Sequence, residues 1–561
     1  MAEQTSAAMS TDQRESWVPM IVIALAQVLM SFNVAALPVS LSGMVESFNV
    51  PPTRIATGIV MYGLAVAGLV MLGAKLNQRF GALVVFRTVV ALFILAQAMM
   101  TLSPTATVMI AAQGLAGAAA AALVPSLVAL IANHYTGDQQ AAAVGGLGSA
   151  RAGAGVAAFT IGGLLGTFVG WRPVFALLMA LAIVILVLSF RLKRDEGRPE
   201  VEIDAIGVLL TASSITLISF GFNNLNGWGL GFATLSAPFS IAGLSPAPVM
   251  IVVGVVLLQL FVRRCHEVAA AGGTPLLDLR VIMSPTERAA VVTMFSVVVM
   301  EAALNFTVPL YIQIVQGRSP LATAIAMMPF NLTVFFTAFL VVRLYDKLTP
   351  RQIGRAGFII CTVALGWLAF VVRNDWSTVP VLLGLIAFGI GQGALVTLVF
   401  NVLVTAAPKE LAGDVGSLRG TTQNLASAVG TAIAGALMVG LLSAGVMRSL
   451  VDNTYLPPEL LAQLDLDSIN FVTNDRLLEI MQGIGASAEQ VAEAVRINTQ
   501  MRLTALKIGL LVLAGISALT ILPAGRLPDY KPGDIPVNPP APSPEEEKRI
   551  ARELLEKEAE I

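Results

Sequence analysis

Glu301 is the one carboxylate of the chain that falls deep within a long apolar run. An ionised carboxylate is costly in such a place unless a cation partners it, and a carboxylate that takes up and releases a proton can couple proton flow to a conformational cycle. The competing expectation is a fixed salt bridge, or a position near a lumen surface. Asn305 stands one helical turn further on and shares its face. Arg151 and Arg419 lie about one turn inside the cytoplasmic ends of two other runs. Their matching placement points to a gating or pathway pair that holds an anionic headgroup or a carboxylate; the alternative is that both snorkel to the interface. Asn33, Gln113, Gln392, Asn401, Gln423 and Asn424 are amides inside runs. Buried amides need hydrogen-bond partners, so most face a bundle interior, a minority toward substrate and the rest toward neighbouring helices.

Other chemistries lack their parts. No Lys follows a Gly, so the phosphate-binding G-x-x-x-x-G-K loop is absent and energy must come from a gradient or from the substrate itself. His134 and His266 are the only His, and no Cys/His cluster has metal-ligand spacing. Cys265 sits in a basic turn and Cys361 in an apolar run, which argues against a disulfide between them. No nucleophile–base pair stands out, so neither an enzyme nor a cofactor is expected. The net charge of −1 gives no basic face for nucleic acid.

The elements that position these residues are the apolar runs themselves. Of 561 residues, 56% are hydrophobic and 12% charged, well below the roughly 25% charged residues of a soluble domain. The 49 Gly suit close helix packing rather than isolated anchors. Fourteen runs are long enough to cross a bilayer: 17–41, 56–74, 84–102, 106–132, 142–168, 173–190, 206–222, 241–262, 289–314, 320–342, 353–372, 378–404, 420–445 and 503–523. The expected fold is an all-α polytopic membrane protein.

Lys and Arg crowd the turns on one side, among them Lys75, Arg79, Arg87, Arg191, Arg263, Arg343 and Lys409, while Arg54, Arg172, Arg318 and Arg373 mark the other. The first side is expected to be cytoplasmic, with both termini there. Residues 1–16 lack the pattern of a cleaved signal. Residues 446–502 form an extracytoplasmic loop, with an amphipathic stretch from Ser487 to Ile497 opened by a Ser cap. A folded loop over the bundle mouth is the leading expectation and a docking site for a periplasmic partner the second. Residues 524–561 read as a solvated cytoplasmic tail.

The chain repeats weakly. Gly148-Ser149-Ala150-Arg151 and Gly416-Ser417-Leu418-Arg419 open the fifth and thirteenth spans, and Ala74–Gly81 parallels Val342–Leu348. Two six-helix halves, 17–191 and 289–523, therefore flank an inserted pair at 204–263.

The motifs resemble the fourteen-helix drug:proton antiporter branch of the major facilitator superfamily. Leu310-Tyr311-Ile312-Gln313 with Gly317, Ser319-Pro320-Leu321 and Met328-Pro329 is similar to that branch's linker between spans nine and ten. Trp171-Arg172-Pro173-Val174-Phe175 and Gln113-Gly114-Leu115-Ala116-Gly117-Ala118 resemble its entry to span six and the end of its span-four motif. By resemblance, Arg79 and Asp346 latch helices during alternating access. The chain departs from the pattern where coupling is concentrated. The span-one Asp falls at Leu29, the span-four Arg at Ile110, the cytoplasmic motif's Asp at Gln78, and the antiporter Gly-Pro pair at Ala158-Phe159.

The expected function is an inner-membrane secondary transporter of a bacterium, exporting hydrophobic or amphipathic small molecules, with proton coupling through Glu301. A carrier of lipid-like or anionic metabolites is one alternative, and a non-transporting sensor or assembly protein another. Small molecules and membrane lipid are the expected partners, and a monomer the family's habit.

Overall fold

The computed structural model describes residues 16–530 apart from 51, 194, 235–236, 283, 315, 317–319, 346, 374–377, 407–411, 452–473 and 484. Among these residues the chain is helical. Two isolated bridges, Phe232 to Leu244 and Ile241 to Leu244, lie in one connection. Helix is the form a single segment can take in lipid, because it satisfies its own backbone.

The first part of the chain forms α1 (Val18–Val39), α2 (Leu41–Phe48), α3 (Pro52–Phe80), α4 (Ala82–Leu102), α5 (Ala106–His134) and α6 (Gly137–Ala157). A π-helical turn, Ala158–Gly162, leads into α7 (Gly163–Phe168), followed by α8 (Arg172–Ser189). The inserted pair is α9 (Ala205–Trp228) and α10 (Pro246–Ala270). The second part forms α11 (Pro285–Ile314), α12 (Pro320–Leu340), α13 (Pro350–Val371), α14 (Val379–Ala406), α15 (Ala412–Val451), α16 (Asn474–Gly483) and α17 (Ala488–Ala524).

Twelve of the described helices are long and apolar enough to cross a membrane. Phe168 and Phe370 are 80% exposed and Leu522 is 75% exposed, an outer surface that only lipid would cover. The chain is a multi-pass membrane protein. The fifth and thirteenth expected spans fall on α6 with α7 and on α15, which lie outside that set of twelve.

Several boundaries differ from the sequence expectation. Span five begins at Gly137 rather than 142, because the polar first turn Gly137-Asp138-Gln139-Gln140 is helical but does not register in hydropathy. α15 is 40 residues long, reaching past both ends of 420–445. The amphipathic stretch after Ser487 and the last span are one helix of 37 residues, opened by a capping box between Ser487 and Gln490. Residues 446–502 are therefore largely helix where described. Leu477 and Met481 of α16 are buried, with α16 packed on α17, so this part folds onto its own chain.

Small residues set the closest packing. Gly117 of α5 lies on the Tyr62 backbone of α3, and an added Cβ would strike the Tyr62 carbonyl. The halves meet along two seams. α15 packs on α3 and α5, and α6 packs on α12 and α14. A Cβ on Gly416 would stand 2.9 Å from Pro125 Cα, and one on Gly420 2.7 Å from Val70 Cγ2. The inserted α9 touches both α3 and α15, so it covers one seam from outside.

Candidate functional site

Between the halves lies a narrow cleft lined by α6, α11, α14 and α15. Val144, Met294, Val298, Leu395 and Phe400 give it an apolar wall. Its polar lining includes Arg151, Arg419 and Gln423. The weak repeat that singled out the two arginines thus corresponds to a shared cavity. The helices deliver them from opposite halves, α6 from the first and α15 from the second.

Arg151 Nη2 donates to Glu301 Oε1 at 3.1 Å. Arg151 stands 14 residues beyond the start of α6, about 21 Å along the axis at 1.5 Å per residue. That is well beyond the single turn from a helix end that snorkelling would need, and even the expected start at 142 lies nine residues before it. Glu301 occupies the middle of α11, 16 residues from Pro285. Its other oxygen, Oε2, is buried without a hydrogen-bond partner. The pair spans the two halves. Arg419 is 7% exposed, and its guanidinium lies 4.1 Å from the centre of the Phe400 ring.

The amides divide. Asn33 donates to Gln113 at 3.1 Å and accepts from Gln97 at 3.0 Å, a fully buried network joining α1, α4 and α5. Asn33 and Gln113 are therefore bonded to each other and do not line this cleft. Asn424 donates to the Gly420 carbonyl of its own helix. Gln392 donates to the Val297 carbonyl, tying α14 to α11 behind the cavity wall. Asn401 is buried in α14. Asn305 is exposed on α11. Of the amides, Gln423 alone lines the cleft.

At the Lys/Arg-rich end the halves are locked by charge. Lys75 Nζ lies 3.4 Å from Asp414 Oδ1, and Gln78 Nε2 donates to Asp414 Oδ2 at 2.7 Å. The Asp414 side chain is fully buried and that of Lys75 is 4% exposed. Sequence reasoning missed this pair, because Lys75 was one of many turn cations and Asp414 stood outside the expected span. The available signal was Gln78 in place of an acid, with Asp414 near the start of the span that faces it.

Among the described residues, Arg79 bridges no two helices. It donates to the Val201 carbonyl at 3.4 Å and stacks near Phe80. Asp346 lies outside the described residues. The linker after α8 closes over the same end: Asp195 accepts from the Ala82 and Leu83 amides at 2.5 and 2.9 Å, capping α4. Gly81, at φ 87°, makes the turn that exposes those amides. Ala158-Phe159, the place of the antiporter motif, opens the π-helical turn of span five. Such turns insert one residue into the helical ladder and recur at functional sites.

The family model described as Major Facilitator Superfamily matches residues 23–431. The multidrug efflux pump LfrA of Mycolicibacterium smegmatis is 24% identical over 432 residues, which cover 75% of this chain and 81% of that protein. The multidrug resistance protein Stp of Mycobacterium tuberculosis is 24% identical over 469 residues, covering 82% and 84%. Among solved structures, the human organic anion transporter MFSD10 superposes with a TM-score of 0.56 at 13% identity, covering 90% of this chain and 99% of that one. At that identity the likeness shows a shared fold alone.

Proposed function

Because the chain belongs to the major facilitator superfamily, we propose that it is a secondary active exporter of hydrophobic or amphipathic small molecules, crossing the inner membrane of a bacterium fourteen times. The names of LfrA and Stp, an efflux pump and a resistance protein, support outward transport of small molecules. The observation that carries the reading is the Arg151–Glu301 bond between halves, beside an apolar cavity.

Alternating access requires the two halves to rock around a central site. Protonation of Glu301 removes the charge that holds Arg151 and loosens the joint between α6 and α11. Proton loss restores the bond. If cargo and proton use the joint in alternation, inward proton flow drives outward cargo flow. The test is uptake of a panel of lipophilic fluorescent dyes by inverted membrane vesicles with an acidic interior. Vesicles containing the protein should accumulate at least one dye, and collapse of the pH gradient should release it. Accumulation equal to that of vesicles lacking the protein would reject export of such molecules.

The proposed topology puts residues 446–502 outside, and the linker at 191–204 with both termini inside. The native Cys265 and Cys361 are buried and leave a quiet background. An impermeant maleimide applied to intact cells should label Gln482→Cys and spare Glu200→Cys. Both side chains are exposed. The opposite pattern would reverse the orientation.

A further inference from the structure

The charges around the cavity do not balance. Lys75 is matched by Asp414 and Arg151 by Glu301. Arg419 has no carboxylate within ion-pair distance and donates no hydrogen bond among the described residues, yet it is 93% buried by its 7% exposure. A guanidinium keeps its charge at neutral pH and carries five N–H donors in a fixed fork. Phe400 covers one face of that fork and contributes cation–π attraction, but it accepts none of the donors in their plane. The group lines the cleft, and Gln423, one turn further along α15, lines it too. Apolar walls then extend from the cation on α6, α11 and α14.

We infer that the cargo is an amphipathic organic anion, whose single carboxylate or like group is held by Arg419 while its apolar body lies along the apolar lining that opens as the halves rock apart. The inference rests on the cleft being the cargo site of the proposed exporter. Arg419 reads the charge, since Arg151 is already engaged by Glu301. A cationic amphiphile would meet an uncompensated positive charge and be disfavoured. A neutral one would leave the fork buried and unmet, which costs affinity that a hydrogen-bonding cargo recovers.

The experiment uses the full-length protein in nanodiscs of zwitterionic lipid and three matched fluorescent probes: 11-(dansylamino)undecanoate, its methyl ester, and the corresponding primary amine. Binding is read as dansyl enhancement over empty discs. The acid should bind about tenfold or more tighter than the ester, and the amine weakest, because a charge-assisted hydrogen bond is roughly twice as strong as a neutral one. Arg419→Gln should bring the acid down to the ester's affinity, and Arg419→Lys should keep part of the preference. Equal binding of acid and ester by the parent protein, or preference for the amine, overturns the inference without recourse to any variant. So does an Arg419→Gln protein that unfolds at the parent's temperature and still prefers the acid. Adding phosphatidylglycerol to the discs separates two sources of the same chemistry. Loss of acid binding there assigns the socket to a lipid headgroup, and unchanged binding assigns it to a free amphiphile. The export reading fails separately. Tight acid binding with no probe pumped by vesicles sinks export and leaves the socket, while ester pumped and bound as well as acid sinks the socket and leaves export.

Discussion

Glu301→Gln should abolish accumulation driven by a pH gradient while leaving the protein able to bind cargo. The substitution keeps the shape and one hydrogen-bond acceptor for Arg151, so the 3.1 Å contact between α6 and α11 survives in neutral form. What is lost is the change of charge during the cycle, without which a proton gradient has nothing to act on. Vesicles carrying the variant should show background accumulation under an imposed gradient, at least about tenfold below the parent, a factor worth about 1.4 kcal/mol. Downhill exchange of labelled for unlabelled cargo should continue in part. Leu29, which stands where the family places an acid in span one, is buried in α1. An acid introduced there should not be needed for transport. If Glu301→Gln still concentrates cargo against its gradient as well as the parent, Glu301 is structural and the coupling lies elsewhere.

The second large effect is expected at the buried Lys75–Asp414 pair. Asp414→Ala leaves the Lys75 ammonium, 4% exposed, without its counter-charge and frees the Gln78 amide. Removing one partner of a buried pair costs about 3–5 kcal/mol. The closed seam between α3 and α15 bears that cost, so the conformational balance shifts toward opening at this end. A reporter is available in Val144, which is 1% exposed and lines the cleft. In a background with Cys265 and Cys361 replaced by Ala, Val144→Cys should react slowly with an impermeant maleimide on inverted vesicles. Adding Asp414→Ala should speed that reaction by about tenfold or more, since even about 1.4 kcal/mol of the lost stabilisation multiplies the open population by ten. Asp414→Glu should react like the parent, and the exchange Lys75→Glu with Asp414→Lys should recover part of the closure. Equal rates with and without Asp414→Ala would show that the seam is held by helix packing alone, through Gly416 on Pro125 and Gly420 on Val70.

The residues differ in how much of this was legible. The fold class follows from length and hydropathy, because lipid allows a single segment to hide its backbone only as a helix. Glu301 is conspicuous as an acid among apolar neighbours, and the Gly-Ser-x-Arg repeat singles out Arg151 and Arg419 as a pair. Their depth was hidden. Hydropathy discounts the polar first turn Gly137-Asp138-Gln139-Gln140 of α6, so the span was begun at 142 and Arg151 set nearer to an edge that lies about 21 Å away. Asn33 and Gln113 show a second limit. An amide in a span must bond to something, but only the geometry reveals that these two bond to each other across α1 and α5. Lys75 and Asp414 show a third. They are 339 positions apart in the chain, and each alone reads as an ordinary charge beside a turn.

The surplus cation in the cleft has a consequence at the level of membrane voltage. A cargo that carries one negative charge outward while a proton moves inward transfers two elementary charges in the same electrical sense. The interior-negative potential of a respiring cell then drives both movements. Each elementary charge contributes about 2.3 kcal/mol per 100 mV, so the pair contributes about 4.6 kcal/mol before any pH difference is counted. A transporter with Arg419 as its cargo contact would therefore concentrate its anion outside even when the two compartments have equal pH. A potassium diffusion potential set with valinomycin would be enough to run it.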